Sequence, residues 1–331
     1  MMETAAPIIA VVGTGSIGSR HMNVLSHLGA TVIAVPQRPE RRNELEREGL
    51  VCAGSLCEAR DAFGVEAAII CTDTSRHVAN VMEALSCGLH VLCEKPLAPS
   101  CHATKGLQEA MRAAGRAVFV ACNLRFDLGL KIFRNHLADA GELHSIRIEC
   151  RSYLPEWRPH QPYKDSYSAR VGEGGVLLDL VHELDYALWF FGQPSHVNGV
   201  LINHGLLDIP VDETAAGSWR APNGALISME LDYVSRVKSR FVRATGTKGE
   251  IIYNIVARTL NLVRPGQAMM TKQIPGNTGD AYQAQALAFL EFLSGGSPGE
   301  LATIEAGMNV LAVCDAWRRS SLTGCAEKVS L

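Results

Sequence analysis

The chain has little excess charge of either sign: 31 lysines and arginines stand against 34 aspartates and glutamates, a formal net charge of −3. Without a positive field there is no electrostatic basis for gripping a phosphate polymer, and nucleic acid is not an expected partner. Long apolar runs are missing too. Stretches such as Ala67 to Cys71 stop far short of the roughly 18 residues that cross a bilayer, so no membrane span is expected. The ten cysteines stand singly, with no C-x-x-C pair. That spacing excludes a zinc ribbon and a regular disulfide framework, so they are expected to be mostly small, reduced core residues, and no metal site is expected. Met1 to Pro7 carry no basic patch and lead directly into a glycine motif, so no secretory signal is expected and the location is read as cytoplasmic.

What remains is an ordinary globular composition, 47% hydrophobic and 20% charged over 331 residues, enough for about two domains. Between residues 8 and 122 short apolar runs alternate with helical periods. The runs are Ile8 to Val12, Thr31 to Val35, Ala67 to Cys71, His90 to Cys93 and Ala117 to Ala121, with a weak extra one at Leu50 to Cys52. Runs that are apolar almost throughout suit parallel strands covered on both faces, and the alternation predicts a doubly wound α/β sheet. Beyond residue 124 the pattern changes. A helical stretch from Asp127 to Ala140 precedes alternating strands at Ser145 to Arg151, Val197 to His204, Ala215 to Arg220, Ala225 to Tyr233, Val237 to Ala244 and Glu250 to Asn254. Helical periods return at Ala281 to Leu293 and Ile304 to Arg319. This half is expected to be an α+β domain built on a largely antiparallel open sheet.

Gly13-Thr14-Gly15-Ser16-Ile17-Gly18 follows the first strand directly and opens a helical period. Absent side chains permit a tight turn, let a pyrophosphate approach backbone N–H groups and allow close helix packing, while the helix N-terminus favours the anion. Residues 1–124 are therefore expected to form a dinucleotide-binding Rossmann domain, and 125–331 a substrate, catalytic and oligomerisation domain. An NAD-binding chain ordinarily ends its second strand on an acid that binds the ribose hydroxyls. Here that strand ends Ala34-Val35-Pro36-Gln37-Arg38. A guanidinium there suits a 2′-phosphate, so Gln37 and Arg38 point to NADP, with NAD as the alternative. Arg41 and Arg42 read as the solvated start of the next helix.

The strand His90 to Cys93 runs into Glu94-Lys95-Pro96, at the carboxyl edge where doubly wound sheets bind ligands. An ammonium held there by a following proline can stabilise a developing alkoxide and relay a proton, with Glu94 orienting it. These residues resemble the glucose–fructose oxidoreductase and inositol dehydrogenase family (Gfo/Idh/MocA). The carriers are Gly13 to Gly18, Ile70 to His77, Gly88 to Pro96, Asn123-Leu124-Arg125-Phe126, and Gly174-Gly175 through His182-Glu183-Leu184-Asp185. The resemblance implies a nicotinamide oxidoreductase whose second domain forms dimers or tetramers through its sheet. It also implies that Lys95 contacts the reacting hydroxyl and that Thr72 and His77 lie near the cofactor. Asp73 departs from the proline common at its position.

Periodicity predicts one amphipathic helix over 176–191, with Leu177, Val181, Leu184, Leu188 and Phe191 on its core stripe and Asp179, His182 and Tyr186 facing away. His182 is the expected general acid/base, since its ordinary pKa lies near neutrality. Asp179 is expected to bind a substrate hydroxyl or polarise the imidazole, although inositol dehydrogenase-like members of the family set the two residues one position farther apart. The segment from Arg151 to Arg170 gathers Tyr153, Trp157, Arg158, Tyr163, Lys164 and Tyr167. Aromatic faces that stack on sugar rings and cations that hold carboxylate or phosphate make it a substrate cover, or an arm against a neighbouring subunit. Arg125 is a further substrate candidate.

The expected activity is reversible oxidation of a secondary alcohol on a sugar, amino sugar, sugar nucleotide or cyclitol. Two alternatives stand beside it: a hydrolase or epimerase that keeps NAD bound and cycles hydride internally, and a ligand-sensing regulator that kept the fold without the chemistry.

Overall fold

A computed structural model describes residues 6–159 and 161–331. The reading of Met1 to Pro7 therefore falls mostly outside the described residues. Two compact units emerge, and neither is one continuous segment: the first comprises the chain through Ala98, His102–Phe126 and Thr278–Gly307, the second Pro99–Cys101, Asp127–Asn277 and Met308–Leu331.

The first unit runs β1 (Ile8–Val12), α1 (Ser16–His27), β2 (Thr31–Val35), α2 (Pro39–Arg47), β3 (Val51–Cys52), α3 (Leu56–Phe63), β4 (Ala67–Ile70), α4 (His77–Ser86), β5 (His90–Cys93), α5 (Leu107–Ala114) and β6 (Val118–Val120). The second begins with α6 (Leu128–Asn135), β7 (Leu143–Tyr153), α7 (Val176–Asp179), α8 (Val181–Phe191), β8 (His196–Ile202) and β9 (Thr214–Arg220). It continues through β10 (Leu226–Asp232), β11 (Val234–Gly246), β12 (Gly249–Asn254), β13 (Thr259–Val263) and β14 (Met270–Gln273). The chain closes with α9 (Thr278–Leu293), β15 (Ala302–Thr303), α10 (Ile304–Thr323) and β16 (Glu327–Lys328).

The first sheet has the order β15-β6-β5-β4-β1-β2-β3. Its strands are parallel except β15, where Ala302 pairs antiparallel with Val120. The apolar runs occupy the centre: all four residues of β4, Ala67 to Ile70, are fully buried. The units change between Phe126 and Asp127, close to the expected boundary, but the expectation that residues 125–331 form one continuous domain needs correction. Ala281, Ala286, Phe289 and Leu290 of α9 share a core with Ile9, Val11 and Phe119, so a late helix returns to complete the first unit. Periodicity locates such a helix but does not say which sheet its apolar face will cover.

The second sheet, β14-β13-β12-β11-β7-β10-β9-β8-β16, is antiparallel except where β10 runs parallel to β7. Strands β13 and β14 were not anticipated. One face is apolar and buried through Ile146, Ile148, Ile227, Met229, Leu231, Val242 and Ala244. Trp317 of α10 lies directly on β8 and β9, where a Cβ on Gly199 or Gly217 would stand 2.3 or 2.4 Å from its ring.

One cysteine expectation is also corrected. Cys57 of α3 and Cys87, just after α4, form a disulfide with Cα atoms 5.6 Å apart, a pairing that single cysteines 30 residues apart do not announce. Of the other eight, all but Cys325 are buried free thiols, as expected. Among the described residues no helix is long and apolar enough to cross a membrane.

Candidate active site

In the first unit, β1 ends on Gly13 at φ +84°, where a Cβ would stand 2.7 Å from the Cys71 carbonyl oxygen. A Cβ on Gly18 would stand 1.9 Å from the Gly13 carbonyl oxygen, so this glycine lets α1 close onto the turn. Gly15 differs: apart from its chain neighbours, nothing lies within 4 Å of where its Cβ would be, so packing against the rest of the fold does not require a glycine there. It caps α1 with no side-chain hydrogen bond and no acid in the first turn. A glycine-lined helix N-terminus open to approach fits a dinucleotide pyrophosphate. Thr14 is buried, and its carbonyl accepts from Arg41 Nε at 3.2 Å while Arg41 Nη2 donates to Ser19 Oγ at 3.4 Å. Arg41 is thus more than the solvated start of a helix; it ties the glycine turn at Thr14 to the first turn of α1, which contains Ser16, Ile17 and Ser19. At the end of β2, Gln37 Oε1 accepts from the Arg76 guanidinium, and both Arg38 and Arg76 are exposed. Arg76 was overlooked because residues on separate βα turns meet only in the folded sheet.

The carboxyl end of β5 carries a second constellation. Glu94 is 6% exposed and receives His21 Nε2 of α1, itself 2% exposed, at 2.8 Å. Its other oxygen accepts the Lys95 backbone N–H at 3.1 Å. Burial pushes the Glu94 pKa up, but the hydrogen bond and charge of His21, with Lys95, outweigh it and hold the carboxyl below its ordinary value. Lys95 is half-buried and is joined to Pro96 by a cis peptide. Beyond it, the buried His77 ring lies between two carbonyl oxygens, Pro96 O at 2.8 Å from Nδ1 and Thr72 O at 2.9 Å from Nε2. Burial pushes the His77 pKa down against those two acceptors and the charges of Glu94 and Asp73. The Thr72 hydroxyl donates to Asn80 at 2.9 Å. Arg125 is buried in the turn Asn123–Phe126 that follows β6. Tyr282 of α9 sets its ring edge-on to His21, centroids 6.0 Å apart, and under Arg20 at 4.8 Å. Sequence reasoning missed His21 and Tyr282; the available signal for the first was a histidine on the stripe of α1 that also carries Gly18, Met22 and Leu25.

The second unit corrects the long helix expected over 176–191. It breaks at Leu180, φ −95° and ψ 31°, into α7 and α8. The expected outward face is covered as well: Asp179 is 3% exposed and Tyr186 is fully buried, while His182 on the first turn of α8 is half-buried. The Asp179 carboxylate accepts from Tyr167 Oη at 2.6 Å, Ser168 Oγ at 2.7 Å and Tyr233 Oη at 3.0 Å. Three hydroxyl donors satisfy a carboxylate that would otherwise be costly to bury. Burial and the neighbouring Asp179 charge push the Tyr233 phenol well above its ordinary pKa, keeping it a donor.

The aromatic segment is built around this carboxylate. Trp157 meets Tyr233 edge-on at 5.4 Å and donates its indole N–H to Ser152 at 2.9 Å. Arg158 lies over Tyr167 at 5.3 Å and Arg236 over Tyr153 at 3.5 Å, while Tyr163 donates to the Leu207 carbonyl at 2.9 Å. Trp157 and Arg158 are thus tied through Tyr233 and Tyr167 to the Asp179 carboxylate, while Tyr153 and Tyr163 are held by Arg236 and the Leu207 carbonyl. Tyr233 and Ser168 are partners of Asp179 that the sequence did not single out.

Two family models match the chain: the oxidoreductase family with an NAD-binding Rossmann fold over residues 8–122, and the Gfo/Idh/MocA C-terminal domain over residues 138–252. This chain belongs to the Gfo/Idh/MocA oxidoreductases. Among the relatives of this family member, 1,5-anhydro-D-fructose reductase of Ensifer adhaerens is 27% identical over 277 residues, 80% of each chain. Inositol 2-dehydrogenase of Streptomyces avermitilis is 30% identical over 232 residues, 63% of each. The solved structure of levoglucosan dehydrogenase in complex with NADH and L-sorbose superposes with a TM-score of 0.87 at 20% identity, covering 99% of this chain and 100% of that one. That likeness is one of fold.

Proposed function

We propose that this oxidoreductase transfers a hydride between NADP and a secondary alcohol or ketone on a sugar, amino sugar, sugar nucleotide or cyclitol. The observation that carries the reading is a half-buried lysine at the carboxyl edge of the same parallel sheet whose first turn leaves an open, glycine-lined helix N-terminus. Backbone N–H groups of residues 15–17 would hold the pyrophosphate. Arg38 and Arg76, exposed around Gln37, offer two guanidiniums to a 2′-phosphate. The nicotinamide, when bound, supplies the hydride acceptor or donor.

Lys95 hydrogen-bonds the reacting oxygen and stabilises negative charge as it develops there. His182 takes the hydroxyl proton during oxidation and returns it during reduction. Asp179, its oxygens already holding three hydroxyls, fixes Tyr167 and, through the buried Tyr233, Trp157, the two half-buried rings on which a sugar face would stack, and Arg125, Tyr153, Arg158 and Tyr163 complete substrate contacts. The reading extends to a homodimer or homotetramer through the second sheet. Its other face exposes Val200, Ile202 and Leu226 beside the charged row Arg147, Glu149, Arg151 and Glu230, a surface suited to a second copy.

The test is titration of the protein with NADPH and NADH separately, followed by a screen of polyols, sugars and sugar nucleotides with the tighter-binding form. A stoichiometric change in nicotinamide absorbance is expected with one class. Lys95→Met should cut kcat by about 10³ while cofactor affinity holds. Turnover undiminished in Lys95→Met would overturn the assignment.

A further inference from the structure

The Lys95 site has a buried support that the reaction scheme above does not use. Glu94 is an acceptor-only group when ionised, so the nitrogen facing it, His21 Nε2, carries the proton and donates at 2.8 Å. The second carboxylate oxygen takes the Lys95 amide at 3.1 Å, leaving the carboxylate bridging α1 to the backbone of the lysine itself. His21 is three residues beyond Gly18, where α1 approaches the Gly13 carbonyl too closely for any Cβ. The ring is closed in from the other side by Tyr282 of α9, edge-on at 6.0 Å. A chain of contacts therefore runs from the glycine turn through an imidazole and a carboxylate to the lysine.

We propose that His21 is a positioning residue: through Glu94 it fixes the direction and electrostatic surroundings of Lys95, tying the lysine to the helix that opens the cofactor loop. This rests on the role assigned to Lys95 above. The groups facing Glu94 are His21 from α1, Cys71 after β4, its chain neighbours Cys93 at the end of β5 and Lys95 beyond it, His77 from α4 and Tyr282 from α9. Of these, His21 and Lys95 favour the ionised carboxylate, whereas burial and the approach of Cys71, Cys93 and Tyr282 do not supply a compensating positive charge. Without the imidazole, burial prevails and the carboxyl keeps its proton to a higher pH.

The experiment compares His21→Phe, His21→Gln, Glu94→Gln and the double variant His21→Phe/Glu94→Gln in the full chain, with nicotinamide binding, kcat and the pH profile of kcat as readouts. His21→Phe should lower kcat about tenfold with cofactor Kd within about twofold, and should move the acid limb of the profile to higher pH. His21→Gln, which restores an N–H donor, should recover most of the loss. The double variant should be no slower than Glu94→Gln alone, because the two residues act as one unit. A wild-type kcat and profile in His21→Phe, additive losses in the double variant, or loss of cofactor binding in both His21 variants would each overturn the proposal. Lys95→Met separates the two readings: if it remains active the lysine assignment falls whatever His21 does, and if it is inert the His21 variants decide the support.

Discussion

Glu94, next to Lys95 in the first unit, and Asp179, three residues before His182 in the second, are both buried carboxylates, and the two are stabilised by different means. Glu94 is met by an imidazole and a backbone amide, Asp179 by three neutral hydroxyls. The His21 hydrogen bond and the Lys95 charge hold the first carboxylate ionised against its burial, so its charge depends on those neighbours. Hydroxyl donors do not titrate near neutrality; they hold the second carboxylate as a geometric hub for Tyr167, Ser168 and Tyr233. One acid thus serves electrostatics and the other serves shape.

That contrast can be broken most sharply at the hub. Asp179→Ala leaves the fully buried Ser168 and Tyr233 hydroxyls without their acceptor and should destabilise the protein by about 2–4 kcal/mol, measured by urea denaturation at neutral pH. Asp179→Asn keeps an accepting oxygen and should lose less; equal stability of all three proteins would remove the hub. At the cofactor end the expected effect is smaller. Arg38→Asp should weaken NADPH binding roughly tenfold and reverse the preference toward NADH, since a carboxylate repels a 2′-phosphate and accepts from ribose hydroxyls. Unchanged relative affinities, read by fluorescence titration, would return the chain to NAD.

The smallest effect concerns acid pH. Because the folded Glu94 pKa is depressed, its contribution to stability is fully present above the unfolded glutamate pKa and is lost as pH falls through the folded value. The stability gap between wild type and Glu94→Gln should therefore be widest at neutral pH and narrow steadily below about pH 4, near the ordinary glutamate value. A gap that is constant with pH would mean that Glu94 contributes shape alone, making it like Asp179.

Much of the first unit was legible because its signals are local. Gly13 and Gly18 sit where any side chain collides with backbone, and the apolar runs at Ile8 to Val12 and Ala67 to Ile70 are the central strands. The alternating strands from Leu143 to Asn254 were found within a few residues for the same reason: alternation reports one covered face. Helix 176–191 failed as a single amphipathic element because covering on both sides erases the difference between stripes: Tyr186 and Leu184 are both fully buried. The β13–β14 hairpin escaped notice because its outer strand, Met270–Gln273, is exposed throughout and shows no apolar rhythm.

Alone, the sequence determined the alternation of strands and helices in the first unit, the glycine turn and the lysine just after β5, since each depends on backbone conformation and on neighbours a few residues away. Only the tertiary structure decided which groups act on them. His21 reaches Glu94 across 73 residues, Tyr233 reaches Asp179 across 54, and α9 returns to the first core from the far side of the second sheet in sequence. Such pairings depend on how sheets and helices cover one another, and no spacing along the chain encodes them.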